Sequence, residues 1–322
     1  MWVILPYLAP LSVTVAANLG VTHRRWRRIT YLSLAVLNAL AAAGGLFLMA
    51  APSLLRSRQQ AGLSTVINTA PLGVAFVVAA LLGFLFLLPA VRRLLASTLS
   101  IDPASPVHTT ALVFALYLAA SSLSLLLLPP SAMLDTLESA SIDTRTLVYG
   151  QAVMLLFALA GVGLGTRRSL SQVMSRLGLR LPSLRNLSLA AALMVGFLAL
   201  DYAVSVIWQR LWPLSYQMVS ESSQRLYAPF GSIPGALLLG LSAGIGEESL
   251  FRGALQPRLR ILLTAVVFTL GHVQYALSPA LAEILVIGLV LGWLRERTNT
   301  TTCMVTHAGY NFLDSVLARF FP

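Results

Sequence analysis

Residues 233–255 read IPGALLLGLSAGIGEESLFRGAL, an apolar run long enough to cross a bilayer as a helix. Inside it stand two adjacent carboxylates, Glu247 and Glu248. A charged group within hydrocarbon is costly, so a membrane protein that keeps two of them side by side is read as using them. They are conspicuous in a chain with only eleven acidic residues in 322. Arg252 follows in the string Glu-Glu-Ser-Leu-Phe-Arg-Gly, and the two histidines of the C-terminal half, His272 and His307, also fall inside apolar segments. Catalytic-type side chains in such surroundings point to an active site.

The rest of the chain sets this stretch in a membrane. Apolar residues make up 57% and charged residues 10%, against roughly 45–50% and about 25% in a soluble domain. The fold expected is all-α, a polytopic transmembrane helix bundle. Windows of about 17–25 apolar residues give about ten spans, near 3–21, 30–51, 71–91, 109–129, 147–166, 186–208, 233–256, 259–274, 280–294 and 302–320. The N-terminus lacks the basic region of a cleavable signal peptide, so the first span is read as retained. Residues 1–180 form an accessory transmembrane region of about five spans. Residues 181–322 hold the buried ionisable groups and form the core. The longest soluble stretch is Gln209 to Ser232, where Trp208, Trp212, Tyr216 and Tyr227 read as an interfacial aromatic belt.

All 22 basic residues are arginine, as in a protein from a GC-rich genome. Sixteen of them fall on alternate loops, from Arg24 to Arg28, Arg92 and Arg93, Arg167 to Arg185, Arg252 to Arg260, and Arg295 and Arg297. The positive-inside rule puts those loops in the cytoplasm and both termini outside. The net charge of +11 is then topology and contact with anionic lipid. Nucleic acid is excluded as a partner, since the arginines are split into short clusters with no aromatic interleaving. The single cysteine, Cys303, excludes disulfides within the chain and multi-cysteine metal clusters.

Spacing sorts the polar residues. Glu248 and Arg252, four apart with the acid first, share a helix face in the favourable order for an ion pair. Glu247 projects about 100° away and is left free to face a cavity. Phe268 and His272 share a face at the same spacing, as do His307 and Asn311. Counted at about 1.5 Å per residue from the cytoplasmic helix ends, Glu247, His272, His307 and Asn311 reach similar depths on three helices. Core histidines have no reason to converge in that way. Asp201 and Glu283 are read as structural, and Asp314, seven residues after His307 on roughly the same face, as its supporting partner or a ligand. Gly240-x-x-x-Gly244 and Gly288-x-x-x-Gly292 read as helix-packing surfaces.

Glu247-Glu248-x-x-x-Arg252, Phe268-x-x-x-His272 and His307-x-x-x-Asn311, in this order, resemble the motifs of the CPBP family of intramembrane proteases, which includes CAAX prenyl endopeptidases and bacteriocin-processing enzymes. Gly253, and Gly288 with Gly292 before Trp293-Leu-Arg-Glu-Arg-Thr298, extend the likeness over 181–322. The resemblance implies an endopeptidase cleaving a membrane-associated protein or peptide in a cavity open to the cytoplasmic side. Glu247 and His272 would polarise the attacking water, Glu248 and Arg252 would support them, and His307 with Asn311 would stabilise the oxyanion or bind a metal. Two chemistries stay open. Glu247, His272 and His307 suit Zn²⁺ with an open position for water, although His-Glu-x-x-His is absent. Without metal, Glu247 is the general base and His307 and Asn311 are donors to the oxyanion. The family's metalloprotease label leans to the first. The location implied is a bacterial inner membrane. The rivals are a proton-coupled transporter, since buried carboxylates and histidines also relay protons, and a non-catalytic bacteriocin-immunity partner of the same fold.

Overall fold

A computed structural model describes residues 5–59, 69–126 and 143–319. Among them the regular elements are helices, with no strand. In order they are α1 (Leu5–Leu19), α2 (Arg24–Gln59), α3 (Ala70–Leu87), α4 (Pro89–Ala96), α5 (Pro106–Leu126), α6 (Thr144–Val162) and α7 (Leu170–Leu177). Then come α8 (Leu184–Leu211), α9 (Pro213–Tyr227), α10 (Ile233–Glu248), α11 (Gln256–Leu270), α12 (Pro279–Arg297) and α13 (Thr300–Leu317). A π-helical turn, Ser249–Leu255, joins α10 to α11.

Short polar residues fix several starts. Asp143, Ser183, Ser232 and Asn299 each accept from a backbone N–H of the first turn of α6, α8, α10 and α13, which satisfies a donor that the helix leaves open. Ser169 and Gln172 form a reciprocal box at the start of α7, and Gly178 ends that helix in the left-handed conformation.

Among the described residues six helices are long and apolar enough to cross a membrane, so the ten expected spans are not confirmed. They cover Arg24–Ala51, Ala70–Leu87, Pro106–Leu126, Thr144–Val162, Leu184–Leu211 and Ile233–Leu270. The reasons for the shortfall are length and polarity. α1 has 15 residues, about 22 Å of rise against a hydrocarbon core of about 30 Å. The expected spans 280–294 and 302–320 lie in α12, which carries Glu283, Arg295, Glu296 and Arg297, and in α13, which carries His307, Asn311 and Asp314. Spans 233–256 and 259–274 fall in one continuous 38-residue run that breaks at Arg260. With several apolar helices of spanning length, the chain is an integral membrane protein. The stretch expected to be soluble, Gln209 to Ser232, is mostly helix: Pro213 starts α9, and Trp208 meets Tyr216 edge to face at 5.6 Å.

The run Ile233–Leu270 does not continue straight. A straight helix would separate residues 247 and 272 by about 37 Å, yet Glu247 and His272 are 3.8 Å apart. The reversal falls at Arg260, whose φ of 62° and ψ of 176° break the helix. That conformation is glycine territory and costs an arginine about 1–3 kcal/mol. Leu259, beside the turn, is buried with Ile101 and Leu112, and Arg258 exchanges backbone and side-chain hydrogen bonds with Ser100. Loop 97–105 and α5 thus hold the turn that brings α11 back to the level of Glu247. On its other side α10 lies against α13 so closely that a Cβ on Gly240 would stand 2.5 Å from the Ala308 carbonyl oxygen, the packing expected of that glycine pair.

Candidate active site

The two glutamates sit where α10 passes into the π-helical turn, a local widening often found at functional sites. Their environments differ. Glu248 is fully buried, and Nε of Arg252, also at 0% exposure, lies 3.1 Å from its Oε2. Its other oxygen, Oε1, receives Nδ1 of His307 at 2.9 Å. Both oxygens of Glu248 are therefore committed, one along its own chain and one across to α13.

Glu247 points elsewhere. Its Oε1 accepts from Nε2 of Gln151 at 2.8 Å. Its Oε2 is buried and has no hydrogen-bond partner among the described residues, but faces Nε2 of His272 at 3.8 Å. That gap is too long for a direct hydrogen bond and leaves one shared water as the way to join the two groups.

The partners also set the tautomers. Nδ1 of His272 lies 2.9 Å from the Phe268 carbonyl oxygen, which can only accept, so Nδ1 carries a proton and, in the neutral tautomer this selects, Nε2 presents a lone pair toward Glu247. Nδ1 of His307, facing a carboxylate oxygen, is likewise the donor. Both imidazoles are therefore held by Nδ1, leaving Nε2 for chemistry.

Phe268 ties the three motifs together. Its ring centroid is 4.6 Å from that of His272, 5.9 Å from His307 and 5.2 Å from Phe251, and the Arg252 guanidinium carbon lies 4.9 Å from it. The aromatic face compensates a guanidinium whose Nη1 and Nη2 are buried without hydrogen-bond partners. His272 itself lies just past the end of α11, opening a short 3₁₀ turn, Val273–Tyr275.

Asn311 sits one turn beyond His307 on α13, half-buried, with no side-chain hydrogen bond among the described residues. Asp314 is two turns beyond His307, and His307 turns to Glu248 instead. Glu283 is buried on α12 with Oε1 unpartnered. The ligand set Glu247, His272 and His307 does not fit a zinc ion. Among the described residues no group of three or more His, Cys, Asp and Glu stands where it could hold a metal.

Gln151 was not foreseen. It comes from α6, within the region expected to be accessory, and reaches Glu247 because Gly246 lets α6 approach: a Cβ there would meet the Gln151 carbonyl oxygen at 2.7 Å and its Cα at 3.0 Å. A glutamine in an apolar helix, 96 residues before its partner, offers as its one sequence signal its polarity. A further support is Arg176 on α7, whose Nη1 donates to the Gly253 carbonyl at 3.1 Å and so braces the turn carrying Arg252. Burial, with Arg258, Arg168, Arg295 and Arg167 nearby, lowers the Arg176 guanidinium to about 10, which leaves it charged at neutral pH.

Residues 229–313 match the family model described as type II CAAX prenyl endopeptidase Rce1-like, consistent with the CPBP family. The matched segment contains Glu247, Glu248, Arg252, Phe268, His272, His307 and Asn311. Comparison with curated proteins and with solved structures gives no match.

Proposed function

We propose that the protein is an intramembrane endopeptidase that hydrolyses a peptide bond of a membrane-associated protein or peptide, using a water activated by Glu247 and His272. The carrying observation is the free Oε2 of Glu247, facing the lone pair on Nε2 of His272 across 3.8 Å. A water between two acceptors has both hydrogens taken and its oxygen lone pairs turned outward, the orientation of a nucleophile.

Attack of that oxygen on the scissile carbonyl carbon forms the C–O bond as Glu247 accepts the proton. Collapse of the tetrahedral intermediate breaks the C–N bond, and the same proton passes to the departing amine. Nε2 of His307, as the imidazolium that its contact with the Glu248 carboxylate favours, and the Asn311 amide donate to the oxyanion, where preorganised donors commonly contribute about 3–4 kcal/mol each. Glu248 and Arg252 fix His307 and Phe268. Gln151 restricts Glu247 to one rotamer, so its free oxygen stays on the water. No step is routed through a metal, because the donors do not converge as ligands.

The arginine distribution supports a multi-pass protein of a bacterial inner membrane, with both termini external and the cavity open to the cytoplasmic half. Buried carboxylates and histidines would serve a proton-coupled transporter too, but a water site backed by two oriented imidazoles is what hydrolysis requires.

The test uses purified full-length protein in liposomes with two probes, a quenched farnesylated peptide ending in a CAAX sequence and quenched peptides carrying an apolar membrane anchor. Cleavage of either probe that disappears with Glu247→Gln supports the reading. Cleavage equal in wild type and Glu247→Gln overturns it.

A further inference from the structure

At the junction of α1 and α2, far from the glutamates in sequence, a cavity of about 770 Å³ is lined by Thr22, Arg24, Arg27, Arg28, Tyr31 and Leu32. Three of the six lining residues are arginines and none is acidic. Among the described residues neither Arg24 nor Arg28 has a hydrogen-bond or ion-pair partner, so both guanidiniums are available to a ligand. Arg27 spends Nε on the Gly20 carbonyl and Nη2 on the Val21 carbonyl, each at 3.0 Å, which fixes that wall of the cavity.

A fourth arginine stands behind the wall. Arg92 on α4 is buried, donates from Nη1 to the Tyr31 hydroxyl and to Oγ1 of Thr109, and lies 5.0 Å from the Tyr31 ring centroid. Its Nε is buried with no partner, and among the described residues no carboxylate lies within ion-pair distance. A buried cation without a counter-ion is costly, and an anion in the cavity in front of Tyr31 would compensate it.

The helix that supplies this wall also shows what kind of anion fits. Arg24, Arg28, Leu32, Val36 and Leu40 follow one another at four-residue steps, a single ridge along α2. The first two are cationic, and the next three are apolar yet 65%, 57% and 66% exposed. A free phosphate would use only the top of that ridge, whereas a molecule with a charged head and a hydrocarbon tail would use all of it. Basic pockets between membrane helices bind lipid headgroups by this chemistry.

We infer that the α1–α2 cavity is a binding site for an anionic phospholipid, its headgroup phosphate held by Arg24 and Arg28 and an acyl chain lying along Leu32, Val36 and Leu40. The inference does not depend on the proteolytic reading.

The experiment is native mass spectrometry and thermal unfolding of the delipidated full-length protein in detergent, titrated with phosphatidylglycerol, phosphatidylcholine or inorganic phosphate. Wild type should bind and be stabilised by phosphatidylglycerol, with phosphatidylcholine and phosphate having little effect. Arg24→Gln/Arg28→Gln should weaken phosphatidylglycerol binding by about thirtyfold, as two basic groups near an anionic headgroup imply. The charge-matched pair Arg180→Gln/Arg185→Gln should leave it within about twofold of wild type, since scattered surface charge contributes little. Equal binding of the two lipids overturns the site. So does equal loss in both double variants. Displacement of the lipid by millimolar phosphate, with the same stabilisation, would reassign the cavity to a free anion and overturn the lipid proposal. The wild-type titrations decide even if a variant folds poorly.

Discussion

Nδ1 of His307 donates to Oε1 of Glu248 at 2.9 Å, joining two helices across 59 residues of sequence. With Arg252 on the other oxygen at 3.1 Å, Glu248 is spent on structure, whereas its neighbour Glu247 keeps an oxygen free. Two adjacent carboxylates thus have different tasks, and substitution should separate them.

Glu247→Gln keeps the shape of the side chain and leaves the Glu248, Arg252 and His307 contacts intact. Cleavage should fall to background while the unfolding temperature stays within a few degrees of wild type. Purified protein, unfolded by heat in parallel with the peptide assay, gives both readings. Full turnover by this variant would remove Glu247 as the base.

Glu248→Gln and Arg252→Ala should instead lose stability together with activity. Each strands a partner in a pair at 0% exposure on both sides, and breaking a buried pair costs about 3–5 kcal/mol. A lower unfolding temperature for both variants is the expected outcome. Wild-type unfolding for either would mean that the pair is not structural.

Chelation distinguishes the two chemistries that the motifs leave open. Because among the described residues no three of the carboxylates and imidazoles stand where they could hold a metal, prolonged dialysis against a strong chelator should leave activity unchanged. Loss of cleavage, restored stoichiometrically by Zn²⁺, would show that the site rearranges around a metal.

Spacing made part of this site legible. The pairs Glu248 with Arg252 and Phe268 with His272 are four residues apart, and helix geometry alone makes such neighbours meet. The Gly240 and Gly244 pair marked a close helix contact for a similarly local reason. Tertiary relations were not carried by spacing. The break between the expected spans 233–256 and 259–274 was legible, whereas its place at Arg260, in a φ and ψ that arginine rarely adopts, was not. The ten expected spans are not confirmed among the described residues because the chain's last two helices trade apolar residues for Glu283, His307, Asn311 and Asp314. Assigning His307 to the oxyanion or to a metal missed its bond to Glu248, which only the crossing of α10 and α13 creates.

Gln151 is the clearest residue acting through another. Its bond to Glu247 spans the boundary expected at residue 180, so the first part of the chain takes part in shaping the site. Gln151→Leu keeps approximate volume and removes the donor. A hydrogen bond to a charged group contributes about 1.5–3 kcal/mol, so kcat should fall by roughly tenfold to a hundredfold, with KM and unfolding temperature little changed. A rise in KM with kcat intact would make Gln151 a substrate contact instead.

Phe268 offers the test of whether the motifs act as one unit, because its ring touches His272, His307, Phe251 and Arg252 at once. Phe268→Ala opens a cavity beneath both imidazoles and should cost about 3–5 kcal/mol, so it reports stability more than catalysis. Phe268→Leu is the sharper variant. It fills most of the space, yet removes the ring face under the Arg252 guanidinium, a contact of about 1–2 kcal/mol when desolvated. It also removes the flat surface that sets the tilt of His272, 47° to the ring. The carbonyl holding Nδ1 of His272 belongs to the backbone of residue 268 and survives the change. Phe268→Leu should therefore stay folded, with a small drop in unfolding temperature, and lose more in kcat than in KM. If it turns over like wild type, the ring is filling rather than positioning the imidazoles, and the two histidines are held by Glu248 and the Phe268 carbonyl alone.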